Sequence, residues 1–129
     1  MNKIEFNPNN YSVDLELIQK VAEEALNAFE ENNATISISF VSPEEIKVLN
    51  SAHRGIDKPT DVLSFPQIEI KNVKNRHLGD IVISLDIVEK KGEEITDVVR
   101  HGILHLLGFD HETNESDWDL SAKKINCNL

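Results

Sequence analysis

His101, His105 and His111 stand at the spacing H-x3-H-x5-H, and they are drawn from only five histidines in a chain of 129 residues. They lie in His101-Gly102-Ile103-Leu104-His105-Leu106-Leu107-Gly108-Phe109-Asp110-His111. The first two are a helical turn apart in an apolar run, so a helix there projects both imidazoles from one face. Gly108 suits the left-handed conformation in which helices often end, and a reversal there can return His111 to the pair. Three neutral imidazoles with an open fourth position match a catalytic zinc site. A lone histidine on an apolar face is ordinarily a hydrogen-bonded core residue. The helical pair, the glycine break and the third histidine together favour the metal reading. Cys127, the single cysteine, is predicted to sit in a frayed tail. That leaves His53 and His77 to close a structural site, and an open, water-bearing site is the expectation.

The histidines and Gly108 also fit the metzincin protease pattern H-E-x-x-H-x-x-G-x-x-H. Gly102 occupies the place of its glutamate, the general base that activates water in those proteases. Met1 is the only methionine, so the methionine turn is missing too. A peptidase therefore lacks its base. A metal hydroxide could still attack an electrophile, and a phosphodiester is a reasonable target, because a cation and an arginine can share its charge.

The elements that must hold these residues follow from pattern. Ile4-Glu5-Phe6 reads as an edge strand, and the apolar positions between Asp14 and Glu31 predict a one-sided helix capped by Ser12 or Asp14. Thr35 to Val41 alternates like a half-buried strand. Ser42-Pro43-Glu44-Glu45 is a helix start, with a polar loop expected from His53 to Thr60. Asp61 to Pro66 and Gly79 to Leu85 predict strands, and Ile68-Glu69-Ile70 a hairpin arm. Glu93 to Leu107 predicts the histidine helix, and Trp118 to Ile125 a weaker amphipathic one. The expected fold is α+β: one domain over residues 1–129, a small mixed sheet of about four strands packed by helices, and the metal site at the C-terminal histidine helix.

Composition limits the function classes. The formal charge is −10, from 13 basic and 23 acidic residues, which argues against broad nucleic-acid binding by charge alone. Two local basic clusters stand out, Lys71-Lys74-Arg76-His77 and Arg54-Lys58; the ordinary reading of each is a solvated loop. There is no run of membrane-spanning length and no signal-peptide core in the first residues, and one cysteine cannot form an internal disulfide. A cytoplasmic protein that engages neither membrane nor DNA is the expectation.

His101 to His111 resembles the signature H-G-x-L-H-L-x-G-[YF]-D-H of the bacterial YbeY family. Leu49-Asn50-Ser51-Ala52-His53-Arg54, Lys58-Pro59-Thr60-Asp61-Val62-Leu63-Ser64-Phe65-Pro66 and Gly79-Asp80-Ile81 are similar to further blocks of that family and occur in its order. Departures are His53, where the family favours an aromatic, Arg100, where an aliphatic is usual, a shorter stretch between Gly79-Asp80 and His101, and a tail after His111 without the family's acidic run and methionine. The resemblance implies a single-strand-specific, metal-dependent endoribonuclease acting in 16S rRNA 3′-end maturation and late ribosome quality control. It implies one Zn2+ per chain on His101, His105 and His111. Arg54 is implied as the catalytic residue that binds phosphate or stabilises the transition state. The implied partners are single-stranded RNA, the 16S rRNA precursor and proteins of the small ribosomal subunit. Thr60, Asp61 and Ser64 match family positions but equally suit turn and strand-end hydrogen bonding, and Asp110 suits either orientation of a ligand histidine or a turn. Nickel or copper would also accept three imidazoles, and the nucleophile, water or the RNA 2′-hydroxyl, stays open. Two other classes are a non-enzymatic, metal-stabilised ribosome assembly factor and a metal-dependent hydrolase of another substrate.

Overall fold

The structure is a computed structural model and describes residues 1–67, 76–110 and 112–128. The chain runs β1 (Lys3–Asn7), α1 (Leu15–Ala28), β2 (Ala34–Phe40), α2 (Pro43–Arg54), β3 (Val62–Pro66), β4 (Arg76–Ile83), α3 (Leu85–Lys90), α4 (Ile95–Leu106) and α5 (Glu115–Lys124). The strands form one mixed sheet in the order β1-β2-β4-β3. β1 pairs parallel with β2 and β2 parallel with β4, while β3 is antiparallel to β4. The α+β architecture expected from the sequence is the one observed.

Side-chain alternation decides which face of the sheet each helix covers. Ile36, Ile38 and Phe40 of β2 and Leu78, Ile81 and Ile83 of β4 form the main core with Ile18, Ala22 and Leu26 of α1 and Val98, Val99 and Ile103 of α4. Val82 points the other way and joins Val41, Ile46 and Leu63 in a second cluster, closed by Leu49 of α2 and by Phe65. The helix α4 therefore lies on one side of β3 and β4, with α2 on the other. Residues from the last turn of α2 and from α4 nevertheless line one cleft beside β3, where the site forms.

Local signals act as chemistry dictates. Asp14, not Ser12, caps α1 by accepting from the Leu17 amide. Ser42 and Glu45 close a reciprocal capping box on α2, with Pro43 in the first turn. The structure also differs from the sequence reading. α2 continues through His53 and Arg54 and ends at Gly55, which takes φ of 71°. β4 begins at Arg76, three residues before the predicted Gly79, because its polar start still pairs with Ala34 and Thr35 of β2. α3 was not anticipated. The tail is not frayed: Cys127 is buried, its amide donates to the Ala122 carbonyl at 2.8 Å, and its thiol faces the Asp97 carbonyl at 3.6 Å. The hairpin arm expected at Ile68-Glu69-Ile70 lies outside the described residues.

Candidate active site

α4 brings the first two predicted ligands together. Nε2 of His101 and Nε2 of His105 are 3.1 Å apart, with ring centroids at 4.6 Å. The helix can hold them there because its other faces are fixed: Val98, Val99, Ile103 and Leu104 are fully buried. Gly102 lets α4 approach the sheet, since a Cβ at that position would lie 3.0 Å from Cγ2 of Ile81. Its carbonyl accepts a hydrogen bond from the Ser64 hydroxyl of β3 at 3.1 Å, tying the helix to the strand. Position 102 thus faces the packed sheet and has no room for a glutamate. The protease base is excluded by packing as well as by sequence.

Trp118 of α5 was not singled out by the sequence reading and is part of the site. It is buried, and its ring lies 5.0 Å from that of His101 and 5.1 Å from that of His105. The indole backs both imidazoles and restricts their rotation. Being the only tryptophan, a few residues beyond the histidine run, was the one available hint. At the helix end, Gly108 takes φ of 95°, as its predicted role requires. Asp110 accepts from the Glu112 amide at 2.9 Å, and its carbonyl accepts from the Asn114 amide, so it shapes the turn that follows.

The imidazole pair opens on a cleft of about 470 Å³ lined also by His53, Arg54, Thr60, Asp61, Ser64 and Asp110. Arg54 is exposed on the last turn of α2, and no ion pair joins it to another described residue. His77 is elsewhere: it faces Asp80 at 3.2 Å and borders a separate small hollow. Of the two spare histidines, only His53 shares the cleft. Arg76 is engaged with Glu31 at 2.6 Å, while Lys71 and Lys74 lie outside the described residues.

A second polar group sits on the cleft wall. Asp61 accepts from the Thr60 hydroxyl at 3.1 Å and the Val62 amide at 2.9 Å, and Lys91 stands 3.7 Å from its other oxygen. Lys91 is also 3.9 Å from Glu93. Burial raises the Asp61 pKa, but the Glu93 hydrogen bond, Lys91, Thr60 and the Val62 amide outweigh it and hold the carboxyl below its ordinary range. Glu93 goes the other way: burial, its hydrogen bond with Asp61 and repulsion from that carboxylate push it to about 7, against the pull of Lys91. Of the two carboxyl groups, Glu93 is therefore the one that binds a proton more tightly.

A cation fits the histidine pair. At Zn–N distances of about 2.0–2.1 Å, two tetrahedral ligands place their nitrogens about 3.3 Å apart, close to the observed 3.1 Å. Among the described residues no three histidine, cysteine or carboxylate groups converge on one point, and His111 is not among the described residues.

A family model described as Endoribonuclease YbeY matches residues 3–127. The chain belongs to the YbeY family. Endoribonuclease YbeY of Sulfurihydrogenibium sp. (strain YO3AOP1) is 43% identical over 99% of this chain and 95% of its own length. That of Persephonella marina is 42% identical over 91% of this chain and 84% of its own length. The solution structure of TM1509 from Thermotoga maritima superposes with a TM-score of 0.56 at 27% identity, covering 97% of this chain and 87% of that one.

Proposed function

We propose that this chain is a metal-dependent endoribonuclease that cleaves single-stranded RNA in rRNA processing. The observation that carries the reading is the convergence of the His101 and His105 Nε2 atoms in a cleft that Arg54 also lines, in a chain whose relatives are named endoribonucleases. Residues 1–129 act as one metallohydrolase domain. His101, His105 and His111 would hold one Zn2+ at this cleft. Bound there, the ion supplies positive charge to a phosphate oxygen and lowers the pKa of a coordinated water.

The chain's own residues do the rest. Arg54 presents planar, permanently charged donors to the scissile phosphate and to the charge that grows on it during cleavage. Its freedom from described ion pairs leaves that charge available. Trp118 and the buried face of α4 keep the imidazoles in place, and Ser64 locks α4 to β3. Asp61 remains ionised through Thr60, Lys91 and Glu93 and orders the loop opposite the histidines. The substrate is the 16S rRNA precursor near its 3′ end, met in the cytoplasm beside small-subunit proteins in late ribosome quality control. No described helix is long and apolar enough to cross a membrane.

The test is cleavage of a defined single-stranded RNA by purified protein, with and without a chelator. Activity should vanish with chelator and return with zinc. Arg54→Ala should slow cleavage by about 10²-fold or more with the melting temperature unchanged. Full activity of the Arg54→Ala protein, or activity indifferent to chelator, would contradict the reading. An assembly factor that only needs its metal for order predicts no cleavage by any variant; that outcome would replace the enzyme with a scaffold.

A further inference from the structure

We propose that His53, seated on Phe65, is the nucleobase platform of the cleft and the source of its preference for unpaired RNA; the proposal rests on the endoribonuclease reading. His53 and Arg54 are consecutive on the last turn of α2, and both line the cleft that holds His101 and His105. The His53 ring is exposed and lies 4.5 Å, centroid to centroid, from the ring of Phe65, tilted by 54°. Phe65 is itself packed against the second apolar cluster, so it is a fixed support. No hydrogen bond or ion pair joins the His53 side chain to another described residue. The ring is thus supported by Phe65 while it remains exposed at the cleft.

This is the arrangement by which proteins hold single strands: a cation for the phosphate and, beside it, a flat π-face for the base. A base paired within a duplex is already stacked on both sides and cannot reach such a surface. A splayed, unpaired base can. Stacking is tolerant of base identity, so the platform selects strandedness and leaves sequence unread. The acidic chain cannot rely on charge for affinity, which raises the worth of a stacking contact. If His53 served only to cover Phe65, its removal would disturb packing and leave substrate affinity unchanged.

The test uses the full chain loaded with zinc and a short single-stranded RNA. A series of the same RNA carries one abasic ribonucleotide at successive positions around the cleavage site. Stacking on an aromatic surface is worth enough that His53→Ala should raise KM by roughly 5-fold or more, with kcat and melting temperature little changed. His53→Tyr should restore KM. In the wild type, an abasic residue at one position should raise KM by a similar factor, and in His53→Ala the same lesion should add nothing. If wild-type protein cleaves RNA and neither His53→Ala nor any abasic position alters KM, the platform is refuted while the endoribonuclease reading stands. A rise in KM that His53→Tyr fails to restore also refutes it. If wild-type protein neither binds nor cleaves RNA, both fall.

Discussion

The two walls of the cleft are built on opposite principles. The α4 wall is buried nearly throughout: Val98, Val99, Ile103 and Leu104 have no exposure, and Gly102 presses its backbone against Ile81. The α2 wall buries only Ile46 and Asn50 along its helix, and its last turn carries His53 and Arg54 into solvent. Rigidity on the first side suits ligands whose nitrogen separation must be held to within a few tenths of an ångström. Exposure on the second suits groups that must find a moving polymer before gripping it. The closed wall is tied to the sheet where Ser64 of β3 donates to the Gly102 carbonyl. Asn50 plays the corresponding part for the open wall, donating to the Lys58 carbonyl at 2.8 Å and drawing the loop before β3 against α2.

The contrast can be broken most severely at Gly102. Gly102→Glu would restore the residue of the protease pattern, yet it should not create a peptidase. The side chain would collide with Ile81 in the core and bury a charge, at a cost of about 3 kcal/mol or more. The expected result is a large fall in melting temperature or loss of soluble protein, measured by thermal denaturation. A variant as stable as the parent would show that α4 is not pressed on the sheet.

A much smaller effect tests the open wall. Glu93 has its folded-state pKa raised to about 7 from an ordinary 4.5, so the native protein binds that proton more tightly than the unfolded chain. Its contribution is complete below the ordinary value and is lost as pH rises through about 7. Asp61 runs oppositely, its contribution being lost only as pH falls below its ordinary 3.8, outside this window. Glu93→Gln keeps a hydrogen-bond donor for Asp61 and removes the titration. Between about pH 5 and about pH 8, the wild type should lose a few degrees of melting temperature relative to Glu93→Gln. Parallel pH profiles for the two proteins would contradict a proton held on Glu93.

The legible parts of the chain were those with local signatures. The alternation of Thr35 to Val41 marks β2, Ser42-Pro43 marks the start of α2, and the His101/His105 spacing with Gly108 marks a helical pair and its stop. The reading failed where the determinants are distant in sequence or carried by polar residues. α2 runs on to Arg54 without apolar residues to announce it, since Asn50 is the residue its last turns bury. Cys127 looks like the end of a loose tail until Asp97 of α4 is seen to receive both its thiol and, at 3.3 Å, the Asn128 amide. Trp118 behind the histidines and Glu93 beside Asp61 are contacts that only the folded chain brings about. Position 102 shows a subtler case: the sequence reveals that the glutamate is missing, and only the packing on Ile81 explains why.

The claim on which the account depends is that three histidines share one cation. Zinc titration of the apo protein, with metal content measured after gel filtration, tests it directly. The account predicts about one zinc per chain, with binding weakened at least tenfold in each of His101→Ala, His105→Ala and His111→Ala. Retention of one tightly bound zinc in the His111→Ala protein, or none in the wild type, would contradict it.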